Sequence, residues 1–333
     1  MKKLSILVPH YGETFEEVKP LLDSVAFQQN IDFSKIEVVI CDDGPDAVDL
    51  TEHLKGYEYD IKYLRCTKGG VSKQRNNAFD SSTGEYVAWC DADDQYYHCL
   101  AFWLIFNEMA VSNPDGSIGF KALISTFLEE SRHPETKQTL FLDRQQDMTF
   151  VHGKVFNRKF LVDNHIRFFD NLTIHEDNVL MAQVQAVTKE IKYCPVPFYL
   201  WKWRDNSICR RDKKYILKTL NNMIDSHTEV IEWCKKYNHL NVVTERVIFA
   251  VYDLYYTMST KEWIDQENKE YRAKTERHFA DFYRTYKTVF TKADEQMKMM
   301  VSNGVRQRCV MEGRLVQEEV TLSKWLEYIE SLV

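Results

Sequence analysis

Three carboxylates within four positions, Asp91, Asp93 and Asp94, close the short apolar run 84–90 (Gly84, Glu85, Tyr86, Val87, Ala88, Trp89, Cys90). A run of that composition is a candidate strand buried in a sheet, and strands of open α/β sheets carry ligand chemistry at their carboxyl ends. Side chains two apart on an extended segment leave the same face. Asp91 and Asp93 can therefore converge on one hard cation or on its phosphate-bound partner, whereas Asp94 faces elsewhere or begins a turn. Seen alone, the cluster reads equally well as a solvated Asp-rich turn. A second apolar run, 36–41, also ends in acid, at Asp42 and Asp43 before Gly44. Between the two lies Gly69, Gly70, Val71 and Ser72, with Ser72 placed to cap a helix that carries Arg75, Asn76 and Asn77. Further on, Glu176 and Asp177 follow His175 and open an apolar helical run through Val179, Leu180, Met181 and Val184, where their charge favours a helix N-terminus.

The elements that must position these acids alternate. Residues 4–8 are β-rich and stop at Pro9. Thr14, Phe15, Glu16 and Glu17 then match a capping box ahead of apolar residues at Phe15, Val18, Leu21, Leu22 and Val25. Strand 36–41, a weaker helical stretch, strand 61–64, the helix after Ser72 and strand 84–94 follow in turn. Alternation of this kind predicts an α/β fold with a mainly parallel, doubly wound sheet, in which all the carboxyl ends share one rim. A nucleotide fits such a rim. No G-x-x-x-x-G-K-[ST] occurs, nor a G-x-G-x-x-G after the first strand, so P-loop and dinucleotide-binding readings lose their main support. After Lys214 the spacing is helical throughout: Ile216, Leu217, Leu220, Met223 and Ile224, then Val243, Val247, Val251, Leu254 and Tyr255, then Phe279, Phe282, Tyr283, Tyr286 and Phe290. Ser259, Thr260, Lys261 and Glu262 match a second capping box, and Leu322, Trp325, Leu326 and Ile329 mark a last helix. The aromatic stripes of this all-helical region read as core or as a self-association face that would make a homo-oligomer.

At 333 residues with 44% hydrophobic content the chain can fill one large domain or two ordinary ones. Its net charge of −7 offers no general attraction to nucleic acid or an anionic membrane. The first apolar run is short and meets Pro9 at once, so it reads as a strand rather than an export signal, and no run approaches the roughly 20 residues that span a bilayer. The eight cysteines, at 41, 66, 90, 99, 194, 209, 234 and 309, contain no C-x-x-C pair and read as reduced core thiols, which predicts a cytoplasmic protein.

The ordered set Val8-Pro9-His10-Tyr11, Asp42-Asp43-Gly44, Gly70-Val71-Ser72 with Arg75-Asn76, Gly84-Glu85-Tyr86-Val87, Asp91-Ala92-Asp93-Asp94, His175-Glu176-Asp177 and Tyr199-Leu200-Trp201 with Arg204-Asp205-Asn206-Ser207-Ile208 resembles the inverting family-2 glycosyltransferases of the GT-A fold. Each piece is weak alone, and together they cover residues 1 to about 210. The resemblance implies a GT-A catalytic domain over 1–211, with a nucleotide-binding half (1–110) and an acceptor half (111–211), and a helical C-terminal region over 212–333. It implies that Asp43 bonds the imide edge of a uracil-type base, that Pro9 and Tyr11 line the nucleotide pocket, and that Arg75 lies beside the base and donor phosphates. Asp91 would face the ribose or the metal shell, and Asp93 would ligate Mn2+ or Mg2+ bridging the diphosphate. Hard carboxylate oxygens suit these ions, and a diphosphate leaving group needs its developing charge neutralised.

In the resembling family the Asp of the Glu-Asp pair is the general base, which makes Asp177 the candidate catalytic residue here. Arg204 and the basic segment 202–214 would fold over the donor diphosphate, or else form an ordinary solvated loop. Phe150–Phe156 is similar to the family's stretch behind the acceptor site, where His152 would touch acceptor or sugar, or serve the core. His175 is a weaker metal-ligand candidate. The implied activity is metal-dependent, inverting transfer of a hexose-type sugar from a UDP-sugar to a hydroxyl acceptor. Two alternatives stay open: transfer to a hydroxylated DNA base, and an inactive nucleotide-binding or assembly module.

Overall fold

The computed structural model describes residues 2–44, 48–113, 116–133, 135–205, 219–311, 316 and 320–332. The chain separates into two compact units, Met1–Asp205 and Asn206–Val333.

In the first unit, Leu4–His10 (β1), Ile36–Asp42 (β2), Asp60–Arg65 (β3) and Tyr86–Trp89 (β4) lie in the order β3-β2-β1-β4 and are all parallel. β2 is buried from end to end, which is why its run is continuously apolar rather than alternating. The register pairs His10 with Asp42, Asp42 with Arg65 and Leu7 with Trp89, so the acid-tipped ends of these strands emerge at one rim. Leu4, Ile6 and Val8 of β1 and Val38 and Ile40 of β2 share a core with Val18, Leu21, Leu22 and Val25 of the helix Phe15–Ala26 (α1), the stripe read from the sequence. Glu17 closes the N-terminus of α1, its carboxylate accepting from the Thr14 N–H at 2.8 Å and the Thr14 hydroxyl at 3.1 Å.

The structure differs from the sequence reading at two local points. Residues 51–56 form turns, not a helix. Asp49 folds back to accept from the Thr51 N–H at 2.9 Å, a local bond that competes with helix formation. The helix Gly70–Ser81 (α2) starts with Gly69 at the cap position, and the Ser72 hydroxyl is buried and donates to the Leu172 carbonyl at 2.5 Å. Its capping acceptor comes from β2, as described below.

The sheet continues through Gln95–Tyr96 (β5), Ala122–Arg132 (β6), Thr139–Arg144 (β7), Lys154–Asn157 (β8) and Ile191–Trp201 (β9), in the order β4-β8-β6-β9-β5 with β7 on β6. Here the pairing is mixed: β6 and β9 are parallel, while β4–β8, β8–β6, β6–β7 and β9–β5 are antiparallel. The fold is α/β, but only its first half is the parallel sheet that alternation predicts. β6, β7 and β8 succeed one another without an intervening helix, and short connections reverse the chain. The remaining helices of this unit are Ala101–Met109 (α3), Arg158–Asp163 (α4) and Glu176–Val187 (α5).

The second unit is helical among its described residues: Leu220–Lys236 (α6), Leu240–Met258 (α7), Lys261–Ile264 (α8), Lys269–Lys292 (α9), Glu295–Met311 (α10) and Leu322–Glu330 (α11). Its aromatic stripes make core. Phe279, Phe282, Tyr283, Tyr286 and Phe290 of α9 are buried, and Trp325 of α11 stacks on Phe279 at 4.9 Å. Thr260 rather than Ser259 caps α8, accepting from the Trp263 N–H at 3.3 Å, because the Ser259 hydroxyl donates back to the Tyr255 carbonyl at 2.7 Å.

Candidate active site

Asp42 and Asp43 are neighbours in sequence and do different work. Asp42 is fully buried, its Oδ2 accepting from the Tyr63 hydroxyl at 2.5 Å, with His10 Nδ1 3.9 Å from Oδ1. Asp43 reaches to α2. Its Oδ1 accepts from the Gly69 N–H at 2.6 Å and Gln74 Nε2 at 2.6 Å, and its Oδ2 from the Gly70 N–H at 3.0 Å. Helix N-termini carry N–H groups without intrahelical partners, and Asp43 supplies the acceptor that α2 lacks locally. Gly70 adopts φ +82°, which opens this helix entry toward the carboxylate. The residue expected to stand open to a nucleobase is thus also a helix anchor, with capacity left on Oδ2. Pro9 lies in β1 opposite Cys41, and the Tyr11 ring is exposed under the Lys68 ammonium, 5.4 Å from its centroid.

Arg75 joins three elements. Only 2% exposed, it donates from Nη2 to Asp91 Oδ1 at 2.8 Å and from Nη1 to Glu176 Oε1 at 2.9 Å and Asp177 Oδ1 at 2.5 Å. The end of β4, the start of α5 and the body of α2 meet in this cluster. Burial works against the guanidinium charge, but Asp177, Asp91 and Glu176 outweigh it and hold Arg75 cationic. Burial likewise opposes the charge on Asp91, and Arg75 more than compensates, keeping that carboxyl below its usual range. Glu176 goes the other way: burial and the neighbouring Asp177 charge push it up to about 7. The resemblance implied that Arg75 lies beside the donor base and phosphates. Here Nη1 and Nη2 are committed to carboxylates, and the buried Nε has no hydrogen-bond partner among the described residues.

A pH-dependent result follows for Glu176. Its carboxyl titrates at about 7 in the folded chain against 4.5 ordinarily, so the folded state holds the proton more tightly. That contribution to stability is fully present below the unfolded value and is lost as pH rises through the folded one. Glu176→Gln is neutral at every pH and should gain on wild type between pH 5 and pH 8 in urea denaturation. A pH-independent gap between the two would mean that Glu176 is ionised throughout.

Asp91, Asp94 and His152 each offer one ligand atom, and the three atoms lie within 4.8 Å of one another. His152 is buried, its Nδ1 has no hydrogen-bond partner among the described residues, and burial keeps the ring neutral by lowering its pKa. The ring stacks on Tyr199 at 4.9 Å and Phe150 at 5.5 Å. Burial, then the Asp93 and Asp91 charges, raise Asp94 well above its usual range, and it takes the Tyr199 hydroxyl at 2.5 Å on Oδ2 and the Lys202 N–H at 2.9 Å on Oδ1. Two carboxylates and a neutral imidazole fit a divalent transition ion, and a cation there would reverse the repulsion that raises Asp94. Asp93, the expected metal ligand, is not in this group. Its Oδ2 accepts from Arg204 Nη1 at 2.7 Å, and the same guanidinium reaches Glu13 at 3.4 Å and Glu17 at 3.2 Å. Arg204 is therefore tied to the β1–α1 corner and to the acid-tipped strand end. Arg210, Arg211, Lys213 and Lys214, the rest of the basic segment, lie outside the described residues.

Residues 5–163 match the family model Glycosyl transferase family 2. That stretch of the chain is a family-2 glycosyltransferase domain. Among curated relatives, the uncharacterized glycosyltransferase YibD of Escherichia coli (strain K12) is 23% identical over 62% of this chain and 63% of its own length. The poly(ribitol-phosphate) beta-glucosyltransferase of Bacillus spizizenii is 27% identical over 57% of this chain and 30% of its own length. The chain thus spans less than two thirds of these relatives. The crystal structure of S. aureus TarS 1–349 in complex with UDP-GlcNAc superposes with a TM-score of 0.64 at 15% identity, covering 95% of this chain and 93% of that one, which shows the shared GT-A fold.

The sequence offers Asp91 and Asp177 as site residues, has Asp94 facing elsewhere or beginning a turn, and leaves His152 undecided; the structure brings Asp91 to both Asp177, through Arg75, and Asp94. Asp94 closes a turn rather than beginning one, its N–H donating to the Asp91 carbonyl at 3.1 Å, and that turn brings its carboxylate back beside Asp91. Tyr199, whose hydroxyl donates to Asp94, and Lys154, buried beside His152, lie in stretches that the resemblance covers, but it gave neither side chain a role. His175 caps α5 in a left-handed conformation, φ +65°, and is not in the metal-ligand group found among the described residues.

Proposed function

We propose that this chain is a metal-dependent, inverting glycosyltransferase that moves a sugar from a UDP-sugar to an acceptor hydroxyl. The observation that carries this reading is the single ion cluster joining Asp91, at the end of a donor-side strand, to Asp177, at the head of a helix. Asp177 accepts the proton of the acceptor hydroxyl while that oxygen attacks the anomeric carbon. The bond from the anomeric carbon to the diphosphate breaks with its electron pair on the leaving UDP. A bound divalent ion supplies charge neutralisation at that diphosphate. Asp91, Asp94 and His152 would hold the ion, while Asp93 stays with Arg204. Asp43 with its open Oδ2, Pro9 and Tyr11 form the base end of the donor site, and Arg204 stands at the diphosphate end.

Family relatives include enzymes named for poly(ribitol-phosphate), which makes a polyol phosphate polymer the first acceptor to test. Transfer to DNA gains no support from the described residues, since Arg204 already faces Asp93, Glu13 and Glu17. No described helix is long and apolar enough to cross a membrane, and we place the chain in the cytoplasm, where nucleotide sugars are made. The test is UDP release from a panel of UDP-sugars with Mn2+ or EDTA, alongside thermal shift. A bound donor should raise the unfolding temperature only with metal present. No shift and no UDP release with any of them would overturn the donor assignment.

A further inference from the structure

We propose that Arg75 is a positioning residue for transfer: it spaces the base carboxylate Asp177 from the donor-side carboxylate Asp91 and does not itself touch the donor. This rests on the glycosyl-transfer reading above. Asp91 and Asp177 come from elements far apart in the chain, and among the described residues no other side chain bonds both. A guanidinium is planar with its donors in a fixed fork, so Nη2 on Asp91 and Nη1 on Asp177 set the two acids in one plane at one spacing. The fork is itself held: the Phe168 ring packs 5.2 Å from its central carbon. At 2% exposure Arg75 is closed off from a diphosphate: Nη1 and Nη2 are on the acids, and Nε, the donor left without a hydrogen-bond partner, is buried.

Asp177 is fixed from its other side by backbone. The Val151 N–H donates to Oδ2 at 3.3 Å, and the loop that carries Val151 is tied down by Asp147, which takes the N–H groups of Thr149 at 2.8 Å and Phe150 at 3.0 Å. The buried Lys154 ammonium joins that anchor, 3.7 Å from Asp147 and 3.4 Å from the His152 carbonyl. One oxygen of the base is therefore set by the acceptor-side loop and the other by Arg75. Positioning of this kind acts on the chemical step, since a small misplacement of a reacting group lowers turnover without loosening ground-state binding.

The test uses the full chain with Mn2+ and whichever UDP-sugar the wild type turns over. Arg75→Lys keeps the charge but cannot bridge two acids, so kcat should fall at least ~10-fold while donor KM and the Kd for UDP with Mn2+ stay within about 3-fold. Arg75→Gly should lose at least as much, and millimolar guanidine should restore part of its kcat. Phe168→Leu leaves the guanidinium in place but unpacked, and should lower kcat with KM unmoved; it carries the test if the Arg75 variants fail to fold. Parallel loss of UDP affinity and kcat would mean that Arg75 contacts the donor, and kcat within twofold of wild type in Arg75→Lys would mean that it positions nothing. Either result overturns the proposal. A wild type that turns over no nucleotide sugar overturns the transfer reading instead, and this role with it.

Discussion

Asp177→Asn should retain UDP affinity within a few fold and lose transfer by at least ~10². The side chain keeps its size and one carbonyl oxygen, which can still accept from Arg75 Nη1, as Asp177 Oδ1 does at 2.5 Å. Its amide group then faces the Val151 N–H, but that bond is long at 3.3 Å, and its loss costs on the order of 1 kcal/mol. The fold therefore tolerates the change. The reaction does not, because an amide takes no proton from an attacking hydroxyl. Asp177→Ala makes a useful contrast, since it also leaves Arg75 with one carboxylate fewer and should destabilise the chain more. Steady-state kinetics at saturating donor decide the matter: near-normal turnover in Asp177→Asn would place the base elsewhere, at Glu176 first.

Asp91→Asn should abolish the metal-dependent part of UDP binding, a loss of at least ~10² in affinity with Mn2+ and little change without it. Asp91 serves both groups, bonding Arg75 through Oδ1 and offering a ligand atom toward Asp94 and His152. Removing its charge leaves Arg75 two other acids, so the fold survives, but it halves the carboxylate charge of the ligand group. His152→Ala should weaken Mn2+ binding in the same direction by roughly 10-fold or more, because a transition ion gains from an imidazole nitrogen. Asp93→Asn discriminates between the two ligand sets. If Asp91, Asp94 and His152 form the set, its effect is the smallest of the three, since in the donor-free chain Asp93 is held by Arg204 at 2.7 Å. Calorimetry showing Asp93→Asn to be the most damaging and His152→Ala silent would return the ion to the D-x-D pair.

Much of the first half of the unit Met1–Asp205 was legible. The runs at β1, β2 and β4 are short, apolar and stopped by Pro9 or by acid, and burial of parallel strands on both faces leaves that mark. The capping box at Thr14 and the stripe of α1 were equally plain, because both are local patterns. β6, β7 and β9 were not. β7 is exposed along its length and so shows no alternation, while β9 carries Pro195 and Pro197 where its register with β6 shifts between Ser125 and Phe127. The cap of α2 was misplaced at Ser72 for a related reason: its acceptor, Asp43, lies 26 residues away and arrives only when β2 and α2 are side by side.

What the sequence by itself determined is the inventory: acids at the ends of strands that must share a rim, an acidic pair at a helix head, and a helical region after them. Alternation and apolar periodicity are properties of neighbours in the chain, so they survive without knowledge of the fold. Which acid meets which cation was decided only in three dimensions. Arg75 is 16 residues from Asp91 and 102 from Asp177, and Arg204 is 111 from Asp93. Charge interactions depend on separation in space and on the burial around it, so the direction in which Glu176, Asp91 and Asp94 titrate became readable only once the sheet and α5 had set those distances.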